Sequence, residues 1–202
     1  SLRNSLLELM GKTSSEAGVF DDALRAFRER IEREEAEGND PFVLAALHIE
    51  MARCQQRKGE YERAERAVMR AEASLKKIYV EKESDKEKIR AMVVDVNETR
   101  ALIRLARGEY NEVLRIAQET IKEFGVLQSV SLLIAKGMAE TYSGELEKAV
   151  ESFQSAVSIL ENSDDYKRLL LTYSGLGIAF QHKGMLREAL DQYQKALVIA
   201  EK

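Results

Sequence analysis

Few side chains in this 202-residue chain could start chemistry: two histidines, one cysteine and one Gly-Lys-Thr run. His48 and His182 are far apart in sequence. Neither has the clustered cysteines or spaced carboxylates that a metal site needs. His48 falls at a packing position of its helix, which predicts a partly buried core histidine. His182 falls on an inner face and is expected to be solvated or to line a groove. Cys54, also at a packing position, reads as an inert small hydrophobe. Gly11-Lys12-Thr13 resembles the end of a phosphate-binding loop, but Leu6 stands where that motif needs its first glycine. The preceding Leu6, Leu7, Leu9 and Met10 have helical spacing, whereas the motif follows a strand. No catalytic residue, no metal and no cofactor is therefore expected, and the chain does not read as an enzyme.

Charge excludes further classes. Thirty-one basic residues face 35 acidic ones, for a net charge of −4, and both signs are spread over the two halves. A nucleic-acid binder needs a concentrated positive face, so no nucleic acid is expected as partner. The run from Lys76 to Arg90 mixes signs and reads as a solvated helix end. No apolar run approaches the ~18 residues that span a bilayer, and no signal-peptide pattern opens the chain. With a lone thiol that cannot form an intramolecular disulfide, this predicts a cytoplasmic protein without a membrane partner.

The elements that would position any site follow from a repeat. Five turns share one pattern: Gly18 with Ala23, Gly59 with Ala64, Gly108 with Val113, Gly144 with Ala149 and Gly184 with Ala189. Two residues after each glycine comes an aromatic or a leucine: Phe20, Tyr61, Tyr110, Leu146, Leu186. That side chain is expected to plug the gap between the two helices of its pair. Seven residues before each glycine stands a small residue: Gly11, Ala52, Ala101, Gly137, Gly177. Nine residues after come Phe27, Val68, Ala117, Phe153 and Tyr193, expected to fill space toward the neighbouring repeat. Glycine tolerates positive φ and so ends one helix and permits a reversal. Between turns, apolar residues recur at three- and four-residue steps, as in Leu186, Ala189, Leu190, Tyr193, Ala196 and Leu197. A single proline, at Asp40-Pro41, marks a helix start, with Asp as N-cap. Ser163-Asp164 reads as another. Nothing alternates with period two, so no sheet is expected.

This pattern resembles the tetratricopeptide repeat (TPR), a helix–turn–helix unit. The final unit carries the resemblance best, through Tyr173, Leu176-Gly177, Phe180, Gly184, Leu186, Ala189, Tyr193 and Ala196. Glycine-to-glycine spacings of 41, 49, 36 and 40 are similar to the extended-helix, about 40-residue type of the family. The resemblance implies an all-α, right-handed superhelix, an α-solenoid of about five units. It would be a single array over residues 1–202, with units near 1–38, 40–83, 84–125, 126–162 and 163–202.

The resemblance further implies that the first helix of every unit lines a concave face where a protein or peptide binds. Carried over by offset from each turn glycine, that face would hold Lys12, Ile49, Arg53, Arg57, Leu102, Ile134, Met138, Tyr142, Ile178 and His182. Its N-terminal half is charged and its C-terminal half apolar, which would suit a peptide with one acidic and one hydrophobic end. The Lys/Asn/Arg set by which chaperone co-factors of this family hold a terminal carboxylate is missing. The expected function is a non-catalytic scaffold or adaptor. The alternative is an effector-sensing regulatory module of a bacterial or archaeal transcription or signalling regulator. Leu197, Val198, Ile199 and Ala200 end a helix with no polar cap after it, so self-association through uncapped terminal helices is a further expectation.

Overall fold

A computed structural model describes residues 2–78 and 83–201. Ten α-helices follow in order: α1 (Leu2–Glu16), α2 (Phe20–Glu37), α3 (Pro41–Lys58), α4 (Tyr61–Leu75), α5 (Glu83–Ala106), α6 (Tyr110–Phe124), α7 (Val130–Ser143), α8 (Leu146–Leu160), α9 (Tyr166–His182) and α10 (Leu186–Ala200). A short 3-10 turn, Leu127–Ser129, leads into α7. The expected all-α class forms: among the described residues there is no strand. No helix among them is long and apolar enough to cross a membrane. The chain divides into two compact units, Ser1–Ile103 and Arg104–Lys202.

One turn recurs five times. Gly18, Gly59, Gly108, Gly144 and Gly184 all have φ between +74° and +86°. At the Gly144 turn, Glu145 N–H donates to the Glu140 carbonyl at 2.8 Å and Gly144 N–H to that of Thr141 at 3.2 Å. At the Gly59 turn the equivalent bonds, to Gln55 and Gln56, are 2.8 and 3.0 Å, and the other three turns repeat the pair. These 6→1 and 5→2 bonds satisfy carbonyls that the helix end would otherwise leave bare. They also start the next helix two residues after the glycine.

In the first unit α3 is the centre. Leu44, Leu47, Met51 and Cys54 face a cluster with Ala23, Leu24, Phe27 and Ile31 of α2. Ala45, Ile49 and Ala52 face Ala64, Val68 and Ala71 of α4 and Met92 and Val96 of α5. Its start is as expected: Asp40 accepts from the N–H groups of Phe42 (2.8 Å) and Val43 (3.4 Å), with Pro41 in the first turn. In the second unit Val130, Leu133 and Ile134 of α7, Phe153 and Leu160 of α8, and Leu169, Tyr173 and Leu176 of α9 form one cluster. Here the expected start is off by one, because Asp165, not Ser163-Asp164, caps α9 by accepting from Arg168 N–H at 2.9 Å. Tyr173 donates its hydroxyl to Glu161. Burial, then that carboxylate, push the phenol up to about 12.

Phe27, Phe153 and Tyr193, nine after their turn glycines, pack within their own pairs. A Cβ on Gly11 would lie 2.6 Å from the Phe27 ring, and one on Gly177 would lie 2.5 Å from the Tyr193 ring. Phe153 does more: a Cβ on Gly137 would come to 3.0 Å and one on Gly175, of the next pair, to 2.6 Å. Only glycines let the backbones of α7 and α9 close on that ring. The expectation that this position fills space toward the neighbour is therefore half of what happens.

Two of the residues two after a turn glycine, Phe20 and Tyr110, also meet the next pair. The Arg57 guanidinium sits 5.8 Å from the Phe20 ring centre, and Tyr142 stacks on Tyr110 at 5.7 Å. Leu186 has no such partner and is 67% exposed. An ion pair repeats at the same seam: Lys58 to Asp21 at 2.6 Å, and Lys183 to Glu147 at 2.9 Å. In both, a lysine just before a turn glycine meets an acid three residues after the previous one. These pairs are largely exposed, so they set register more than stability.

His48 and Cys54 are core residues. Burial pushes the Cys54 thiol up, and its Sγ lies 3.7 Å from the Phe20 carbonyl oxygen. His48 is 4% exposed. Burial, then the nearby Arg70 charge, lower its pKa to about 4.

Two outcomes follow. Gly175→Ala should lower urea-unfolding stability by ~1–3 kcal/mol, because Phe153 has nowhere to move. Adding Phe153→Leu should recover part of that loss, and a Gly175→Ala chain as stable as wild type would refute the wedge. For His48, the unfolded imidazole takes its proton near pH 6.5 and the folded one only near pH 4. Between those values the unfolded state binds more protons, so this contribution to stability is lost as pH falls. From pH 7 to pH 5 wild type should lose roughly 2 kcal/mol more than His48→Leu. Equal losses in urea midpoints would contradict a buried neutral His48.

Candidate binding faces

In the first unit, α1, α3 and α5 bring charged residues onto one face. Arg53 lies 3.2 Å from Glu50 and 3.0 Å from Asp95. Burial works against its charge, but Asp95, Glu98 and Glu50 outweigh burial and hold the guanidinium above its ordinary pKa. Lys12 pairs with Glu8 at 2.9 Å, and that bond raises its pKa despite partial burial. Arg57 donates to Ser15 and covers Phe20. Beside Arg53 lies a groove of about 310 Å³, walled by Glu8, Phe42, Glu50, Met92 and Asp95. Lys88, from the mixed charge run, closes it with its ammonium 4.0 Å from the Phe42 ring centre. Glu81 and Lys82 of that run lie outside the described residues.

The cations expected on a binding face are thus engaged within the protein. Arg53 and Arg57 already have protein partners, so they are not a free fork for a ligand carboxylate. Of the acids that occupy Arg53, Glu50 stands three residues before it on α3 and Asp95 comes from α5.

In the second unit, α7 and α9 present a different face. Tyr142 is 52% exposed. It stacks on Tyr110 with planes 24° apart, and His182 meets its other side edge-on at 6.5 Å. Leu171 is also exposed, while Met138 and Ile178 are half-buried. Tyr110 was not among the expected face residues. Its place two after a turn glycine is the signal that could have added it.

Two of the expected contact residues are buried. Ile49, 3% exposed, and Ile134, 7% exposed, belong to the two helix-packing clusters. Their side chains hold helices together and leave a ligand at most an edge to touch. Leu102 is half-buried in the first unit. Gly11-Lys12-Thr13 lies inside α1, with Gly11 against Phe27, so its backbone N–H groups serve the helix. Among the described residues no three His, Cys, Asp or Glu side chains gather as a metal site would require.

Residues 128–202, which span α7 to α10, match the tetratricopeptide repeat family. No curated protein sequence matches the chain. Among solved structures, BtubC (BKLC) from P. vanneervenii is 19% identical with a TM-score of 0.66, over 98% of this chain and 81% of that one. A Podosopora anserina kinesin light chain with nearly identical TPR-like repeats is 16% identical with a TM-score of 0.63, over 98% and 96%. MamA 41-end from Desulfovibrio magneticus RS-1 is 17% identical with a TM-score of 0.59, over 100% and 97%. At such identities the likeness is one of fold, and that fold is an α-solenoid of helix pairs. The family match covers α7 to α10, and the whole chain, with its turn glycine and offsets repeated five times, shares the fold of tetratricopeptide-repeat solenoids.

Proposed function

We propose that the chain is a non-catalytic scaffold that binds a protein or peptide on its first-helix faces, within one array of five helix pairs and in the cytoplasm. The observation that carries this is the Tyr110–Tyr142–His182 strip at helix ends, with Tyr142 and His182 exposed and Tyr110 half-buried. Aromatic side chains there give large contact area at a low ordering cost, as binding hot spots do. Met138, Ile178 and Leu171 extend the strip with apolar surface. On the first unit's own face, Lys12 and Arg53 are restrained by their acids, Arg57 donates to Ser15, and Leu102 is half-buried. The ligand for which this arrangement is suited is therefore apolar or aromatic at its main anchor rather than acidic. Self-association is part of the same proposal, because Leu197 and Val198 of α10 are exposed.

Peptides selected from a display library on the wild-type chain provide the test. Tyr142→Ala with His182→Ala should weaken them roughly tenfold or more, with helicity unchanged by circular dichroism. Arg115→Ala, on α6, serves as the control. Equal affinity for all three chains would move binding off this face. Light scattering should show mass rising with concentration for wild type and not for Val198→Glu; a constant mass near 23 kDa would remove self-association.

A further inference from the structure

A second hollow, of about 410 Å³, lies in the first unit on the side of α3 that faces α2 and α4. Its floor is α3, through His48, Met51 and Gln55, which recur at three, four and seven residues and so share one helix face. Its α4 wall carries Arg63, Arg66 and Arg70, and Arg28 of α2 stands among the opposite lining. Residues 63 and 70 are seven apart, about 10.5 Å along a helix, so the wall is a ladder of guanidiniums.

Two observations mark it as more than a solvated charged surface. First, His48 Nδ1 and Gln55 Oε1, both in the floor, are buried with no hydrogen-bond partner. The residues are 4% and 5% exposed. A buried polar atom without a partner is costly, and the terminal torsion of a glutamine is soft enough to turn either of its polar atoms toward a ligand. Second, among the described residues Arg28, Arg66 and Arg70 make no ion pair; only Arg63 does, with Glu60 at 2.9 Å. This contrasts with the first-helix face, where Arg53 is neutralised. Glu32 and Glu35 also line the hollow, so the field inside is positive but not uniform.

We propose that this hollow binds a small organic phosphate that carries hydroxyl groups. The phosphate would sit on the α4 ladder, where arginine forks match phosphate oxygens. The hydroxyls would reach His48 Nδ1 and Gln55 Oε1 on the floor. Ile31, Met51 and Ala67 give the hollow apolar walls for the carbon skeleton. Its volume falls in the range of small-molecule sites and is small for a folded partner. The site is on different helices from the Tyr110–Tyr142–His182 strip, so it stands or falls independently of the scaffold reading.

Calorimetric titration of the full chain with ribose 5-phosphate tests it, with inorganic phosphate and citrate as comparison probes. Wild type should give saturable binding of ribose 5-phosphate that weakens as NaCl is raised. Arg66→Gln with Arg70→Gln should weaken it roughly tenfold or more. Gln55→Leu should weaken ribose 5-phosphate severalfold and leave inorganic phosphate unchanged, a split that a merely structural Gln55 would not produce. Both variants are checked for folding by urea unfolding, and Arg115→Gln on α6 should bind as wild type. No saturable phosphate binding, citrate bound as tightly as ribose 5-phosphate, or equal binding without Arg66 and Arg70 would each overturn the proposal.

Discussion

The hydrogen bond from the residue after each turn glycine to the carbonyl five residues earlier ends one helix and begins the next within two residues. It requires the glycine to be left-handed, a conformation that a Cβ makes strained. Everything larger depends on this closure. Because the reversal is so short, the two helices of a pair leave at a fixed angle and in fixed register. Residues seven before and nine after the glycine then meet at the Gly18, Gly144 and Gly184 turns.

That meeting explains the paired sizes along the chain. Where the residue before the turn is glycine, as at Gly11, Gly137 and Gly177, the one after it is Phe27, Phe153 or Tyr193. Where it is Ala52, the partner position is Val68, and both are fully buried in one cluster. Volume is conserved across the contact, which is what close packing demands. The same fixed register carries from one pair to the next. The ring two after a turn glycine meets the residue two before the next one, and a lysine one before meets an acid three after.

With the cores built alike, the units differ in what their helices leave outside. The first unit gathers opposite charges on its first-helix face and neutralises them internally. Among the described residues it leaves Arg28, Arg66 and Arg70 without an ion pair around the hollow above α3. The second unit opens an aromatic strip at Tyr110, Tyr142 and His182. Fold does not choose between partners; these surface differences do. One helix, α3, shows how both needs are met: its apolar residues are divided between two core clusters, while His48 and Gln55 look toward the hollow.

Local rules made much of this legible in the residues alone. Helix class, turn positions, the Asp40-Pro41 start and the buried states of His48 and Cys54 follow from glycine spacing, capping chemistry and apolar periodicity, which act over a few residues. The size pairing of Gly11 with Phe27 is also written there, as features of two separate positions. What only the tertiary structure decided was which exposed-looking residues stay exposed. Ile49 and Ile134 share helix offsets with solvent-facing positions, yet a neighbouring helix covers them. Arg53 and Arg66 are the same residue type on similar helices, yet Arg53 gains an ion pair with Asp95 and, among the described residues, Arg66 makes none. Such outcomes depend on the approach of helices tens of residues apart, and no local spacing encodes that distance.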